Sequence, residues 1–121
     1  MRRSIRDSVL CEKSLNFAVR IVKFYRYLCD EKKEYVLSKQ ILRSGTSIGA
    51  NVRESRNAQS NADFLSKLNI ALKEADETQY WLELFRLSEI ISEESFNSLN
   101  DDINEIISML VSAIKKLKTK V

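Results

Sequence analysis

The chain reads as an all-α protein, a single antiparallel up-down-up-down four-helix bundle over residues 1–121. Three observations predict this. There is no Pro and there are only two Gly among 121 residues; apolar residues recur at alternating spacings of three and four in four long segments; and the polar breaks between those segments are short, which forces neighbouring helices to run antiparallel. A chain of this length buries roughly two thirds of its unfolded surface, enough for a core of its own.

The first helix is expected at about 7–29. Leu15, Ala18, Val22, Tyr25 and Cys29 form one apolar row, and Phe17, Ile21, Phe24 and Leu28 form a second beside it. Two adjacent rows make a wide apolar face that packs against more than one neighbour. Lys13, Asn16, Arg20, Lys23 and Tyr27 occupy the remaining arc as a basic stripe, which Arg6 extends at heptad spacing. Cys11 and Cys29 lie roughly 27 Å apart along that helix, too far for a disulfide, and are read as small apolar residues.

After the polar DEKKE at 30–34, a second helix is expected at about 35–57, carrying Leu37, Ile41, Ile48 and Val52 at helical spacing. The third, at about 61–88, starts where Ser60 followed by Asp63 resembles a capped first turn. It carries Phe64, Leu68, Ala71, Ala75, Leu82 and Phe85 on one face. Ser92 before Glu93 and Glu94 caps the fourth, at about 93–118. Its seam is a heptad of Phe96, Leu99, Ile103, Ile106, Leu110, Ala113 and Leu117.

Composition narrows function. The chain has no His, which removes the commonest general base and the commonest transition-metal ligand. Glu-x-x-His pairs for a carboxylate-bridged metal centre are absent, and two distant cysteines do not make a zinc site. No metal or cofactor is expected. Neither a signal peptide nor a membrane span is apparent, so a cytoplasmic protein with no membrane partner is expected. Glu74, Asp76 and Glu77 form an acidic cluster in the third helix. A catalytic Glu74/Glu77 pair is weighed against a face that pairs with Lys or Arg, and the second reading is favoured because no cleft-forming loops accompany the pair.

The stretch RSGTSIGANVRES, residues 43–55, holds both glycines. A phosphate-binding loop needs a preceding strand and a Gly-Lys-Ser/Thr ending, and neither is present. Gly45 and Gly49 stand four apart on one helical face among small residues, where each costs roughly 0.5–1 kcal/mol of helix propensity. Close backbone approach is the compensation expected. Gln40, Arg43 or Ser44, Ser47, Asn51 and Glu54 form a polar row, read as an interhelical or intersubunit hydrogen-bonding surface ahead of plain solvation.

Net charge is +3, unevenly spread: residues 1–60 carry 13 Lys and Arg against 6 Asp and Glu, and residues 61–121 carry 7 against 11. Such asymmetry marks either a nucleic-acid footprint or subunits that pair basic against acidic surfaces. Arg2 and Arg3, with Arg6, Lys13, Arg20, Lys23 and Arg26, are candidates for meeting a phosphate backbone of RNA or DNA, and Arg43, Arg53 and Arg56 extend that surface. No sequence-reading DNA motif is visible.

Gln40, Arg43, Ser44, Ser47, Ile48, Ala50, Asn51 and Glu54 in QILRSGTSIGANVRE resemble the signature of the small bacterial four-helix bundle proteins encoded in intervening sequences of 23S ribosomal RNA genes. The resemblance continues through DFLSKLNIALKEADETQYWLEL, residues 63–84. Many relatives have Pro where Gly49 stands and Gly where Ser55 stands, a local departure. The resemblance implies an antiparallel bundle that assembles as a ring, a homopentamer, with Gly45, Gly49, Glu74 and Glu77 joining the polar row as motif or interface residues. It also implies kinship with the accessory variability determinant of diversity-generating retroelements, which binds a reverse transcriptase and nucleic acid. Two functions follow as expectations: a non-enzymatic, ring-forming protein that associates with nucleic acid through a basic face, or an interaction module for a protein partner such as a reverse transcriptase.

Overall fold

The computed structural model describes residues 5–120, with side chains described from Ser8 to Thr119. Four helices follow in chain order: α1 (Ile5–Asp30), α2 (Leu37–Ser55), α3 (Asn61–Leu87) and α4 (Glu93–Lys120). Each packs on its neighbour in the order α1–α2–α3–α4, and α1 closes the square against α4, the loosest of the four seams. No diagonal pair of helices meets among the described residues. The expected antiparallel bundle is therefore the fold.

Periodicity accounts for the core. Leu10, Ser14, Phe17, Ile21, Phe24 and Leu28 of α1 are buried, one row at spacings of four and three. They meet Ile41, Ile48 and Val52 of α2, the expected face of α3, and Leu99, Ile103, Ile106 and Leu110 of α4. Full burial of each large apolar side chain contributes about 1.5–3 kcal/mol. Two details differ from the sequence reading. Leu15, expected in a buried row of α1, is 48 % exposed, because a helix at the corner of a square bundle has only two neighbours to cover its arc. Near the end of α4 it is Ile114 that is buried while Ala113 and Leu117 are only partly covered, since a straight helix of 3.6 residues per turn drifts about 20° per heptad from a strict seven-residue repeat.

The helix ends are set locally. α2 begins at Leu37, two residues later than expected, because the Glu34 carboxylate accepts from the backbone N–H of Leu37 at 3.0 Å and of Ser38 at 2.7 Å. These are donors the first turn leaves unsatisfied. Ser60 caps α3 by accepting from Asp63 N–H at 3.1 Å, and Asp63 accepts in return from Gln59 N–H. Ser92 accepts from Ser95 N–H at 3.1 Å. α3 ends in a Schellman turn: Ile90 N–H donates to Phe85 C=O and Glu89 N–H to Arg86 C=O. That turn places Glu89 at φ 61°, a left-handed conformation in which its Cβ crowds the backbone.

Glu89→Gly is expected to stabilise the protein by about 0.5–1 kcal/mol, the relieved crowding being partly offset by the freer unfolded chain. Urea unfolding at neutral pH reads this as a raised midpoint with an unchanged slope.

Candidate functional site

The glycine stretch lies at the centre of the α1–α2 seam. Both glycines turn toward α1. A Cβ on Gly45 would stand 2.8 Å from Ile21 Cγ1, and one on Gly49 would stand 3.1 Å from the Ser14 carbonyl oxygen. The expected close approach is thus between helices of one chain. Ile21 is fully buried beneath Gly45, so the space is filled by a neighbour that has no room to move.

The polar row faces the other way, toward α3. Ser44 is fully buried, and its hydroxyl is 2.9 Å from that of Thr78, which also donates to the Glu74 carbonyl at 2.8 Å. Ser47 donates to the Arg43 carbonyl, and Asn51 donates to the Ser47 carbonyl at 2.9 Å. Glu54 pairs with Lys67 of α3 at 3.1 Å, and Gln40 is exposed. At Ser44 and Arg43 the row is thus interhelical, meeting α3, whereas Ser47 and Asn51 direct their donors to their own helix. Thr78 is the residue the sequence reading passed over. It fills the gap between Ala75 and Leu82 in the α3 core row, and a hydroxyl there is the signal that a polar partner faces it.

Outside this pair, Arg43 reaches across to α3 and forks between two carboxylates, Glu74 at 2.9 Å and Glu77. Glu77 also accepts from the Trp81 indole N–H at 3.2 Å. Burial pushes the Glu77 carboxyl up, but the Trp81 and Arg43 hydrogen bonds outweigh it and hold the group below the usual carboxylate range. Glu34 behaves alike: burial raises it, and the backbone N–H groups of Leu37, Ser38 and Val36 bring it down further. Glu74 and Glu77 of the acidic cluster are thus the carboxylate half of an α2–α3 clamp, and Asp76 is exposed outside it.

Charge pairing also reshapes the basic stripe. Lys13 pairs with Glu105 of α4. Arg20 pairs with Asp102 at 2.6 Å and donates to the Ser98 hydroxyl and carbonyl at 2.9 and 3.3 Å. With Arg43 held by α3, three of the candidate phosphate-binding cations bind acids of their own chain. Lys23, Arg26, Arg53 and Arg56 are exposed and form no ion pair with any described residue. Arg2 and Arg3, and the side chain of Arg6, lie outside the described residues. Part of the asymmetry between the two halves of the sequence is therefore spent on seams inside the bundle.

Pairing leaves an apolar strip uncovered. Leu15 and Val19 of α1 are 48 % and 47 % exposed, and Ala18 and Val22 beside them are half-buried. The Leu15 backbone lies against Gly49, which brings the exposed Ala50 and half-buried Thr46 of α2 alongside. Among the described residues no three His, Cys, Asp or Glu side chains are placed to hold a metal ion, and no helix is long and apolar enough to cross a membrane.

A capped, antiparallel four-helix bundle closed by polar clamps and carrying an apolar strip on one face is the class of protein these features define. Within that class the chain belongs to the 23S rRNA-intervening sequence protein family, whose model matches residues 6–112. It is similar to a crystal structure from Bacteroides thetaiotaomicron, described as a protein with unknown function from the S23 ribosomal protein family. The two share 61 % identity and a TM-score of 0.90, over 91 % of this chain and 98 % of that one. No curated protein matches the chain.

Gly45→Ala is expected to destabilise the protein by roughly 1–3 kcal/mol despite alanine's better helix propensity, because the new methyl overlaps Ile21. In an Ile21→Ala background, which removes all three side-chain atoms the new methyl meets, the further loss caused by Gly45→Ala should be smaller in thermal unfolding.

The depressed folded-state pKa values of Glu34 and Glu77 contribute stability that is complete above the ordinary glutamate value of 4.5. It is lost as pH falls through the lower folded values. The double variant Glu34→Gln, Glu77→Gln should be less stable at pH 7 and show a flatter decline in melting temperature between about pH 5 and pH 2.

Proposed function

We propose that this protein is a non-enzymatic, self-assembling bundle whose outer α1–α2 face is the contact between copies in a closed ring. The exposed strip of Leu15 and Val19, with Ala18, Val22, Thr46 and Ala50 around it, carries the reading. Large side chains at its centre supply buried apolar area, and the small ones let a neighbouring helix approach closely. Arg26 and Arg53 are exposed on the same two helices, while Asp76, Glu83 and Asp101 are exposed on the opposite pair, α3 and α4. That distribution suits a head-to-tail contact, which forms a ring when its rotation closes. The pentamer implied by the family resemblance has this kind of contact. A non-catalytic role is supported by the Glu74 and Glu77 carboxylates, each of which gives its Oε2 to Arg43, with Trp81 sharing that of Glu77.

Association with RNA or DNA is a second reading, favoured by Lys23, Arg26, Arg53 and Arg56. Among the described residues these four cations form no ion pair; with Gly45 against Ile21 and Gly49 against Ser14, Lys23 and Arg26 lie toward one end of the α1–α2 pair and Arg53 and Arg56 toward the other, so each copy offers two basic patches to a phosphate backbone. A protein partner such as a reverse transcriptase is the alternative occupant of the same basic patches.

Leu15→Glu with Val19→Glu is expected to reduce the solution mass to that of one chain in light scattering while helicity is retained by circular dichroism. A wild-type protein that is monomeric at tens of micromolar overturns the assembly reading.

A further inference from the structure

α1 and α4 share the loosest seam of the bundle, and toward the end where α1 finishes and α4 begins an open groove of about 620 Å³ lies between them. That volume is in the range of small-ligand sites. Its walls differ in chemistry. Phe24 and Leu99 form an apolar floor, 9 % and 4 % exposed. Tyr27 stands over one end of the floor, 41 % exposed, with its ring stacked on Phe24 at 6.4 Å and 20° between planes. Lys23 and Arg20 line the α1 side. Arg20 is anchored by Ser98 and Asp102, whereas Lys23 is exposed and forms no ion pair with any described residue. Glu94 of α4 lines the opposite side.

We propose that this groove binds a nucleoside phosphate unit, either a free mononucleotide or one nucleotide of a single strand. Tyr27 meets Phe24 on one side, and Lys32 Nζ stands 5.9 Å from its ring centroid, so a flat base stacks on the exposed part of the Tyr27 ring by displacing Lys32, above the largely buried Phe24 and Leu99. The phosphate then falls to Lys23, the one unpaired cation of the groove, with Arg20 behind it. Glu94 across the groove accepts from an exocyclic amino group, the pairing a carboxylate makes with cytosine. A double helix does not fit, because its bases are stacked inside and present no face to Tyr27. The groove uses no residue of the α1–α2 strip, and its assignment rests on the nucleic-acid reading above.

The test is fluorescence anisotropy of labelled octacytidylate at low salt, with CMP as competitor and a duplex RNA of equal length as comparison. Wild-type protein is expected to bind the single strand and to bind the duplex at least tenfold more weakly. Tyr27→Ala should lower affinity for the single strand about tenfold, and Lys23→Ala should reduce the slope of log affinity against log salt by about one. Tyr27→Phe should restore binding, which separates stacking from a folding defect, and light scattering should give the wild-type mass for all three variants. Displacement by millimolar CMP assigns the site to free nucleotide as well as strand; failure of CMP alongside strand binding assigns it to strand only. Strand binding that survives Tyr27→Ala and Lys23→Ala but is lost with Arg53→Glu, Arg56→Glu overturns the groove and leaves the wider nucleic-acid reading standing. Absence of any strand binding at low salt overturns both.

Discussion

The close approach of α1 and α2 at Gly45 and Gly49 is the constraint on which the rest of this bundle depends. Two glycines inside a helix are costly in isolation, and the cost is met because Ile21 and the Ser14 backbone fill the space their missing side chains leave. With α1 seated this deeply, α2 is rotated so that its opposite flank, led by Ser44, faces α3. There the Ser44–Thr78 pair and the Arg43 clamp become possible. A wider α1–α2 spacing would move both out of reach.

The same rotation decides which surfaces remain open. A helix at the corner of a square bundle covers about half of its circumference, and the sequence of α1 is apolar over more than that. The core row Phe17, Ile21, Phe24 and Leu28 goes inward, and the next row, beginning at Leu15, is left facing outward beside the small residues of α2. On the other flank of α1, Lys13 and Arg20 are close enough to α4 to pair with Glu105 and Asp102. Exposed ion pairs of this kind contribute little to stability. Their consequence is to remove those cations from the outward field, so that of the candidate phosphate-binding cations described it is Lys23, Arg26, Arg53 and Arg56 that remain unpaired.

Clamps made of exposed charges and a loose α1–α4 seam also fit together physically. Three seams are dense with apolar contact, and the fourth depends more on side-chain pairing at its centre. Toward the α4 amino terminus that seam opens into a groove with Phe24 and Leu99 at its floor. A groove is therefore a product of the same geometry that closes the bundle, positioned between a residual cation and a ring that the core leaves half-uncovered.

Helix number, order and the identity of most of the core were legible in the sequence, because spacing of three and four is a property of the chain that survives whatever the helix packs against. The caps at Ser60 and Ser92 were legible for the same reason: a cap is a contact within a few residues. That the glycines permit close packing followed from the propensity they sacrifice. What they pack against did not, since Ile21 and Ser14 are more than twenty residues away and only the fold sets their rotation relative to α2. The fates of Ser44, Arg43, Lys13 and Arg20 belong to that second kind. Each carries a side chain able to face solvent, a subunit or a neighbouring helix equally well. Thr78, Glu105 and Asp102 become their partners only because helix rotation, a quantity set by the packing of the whole core, brings those particular side chains opposite.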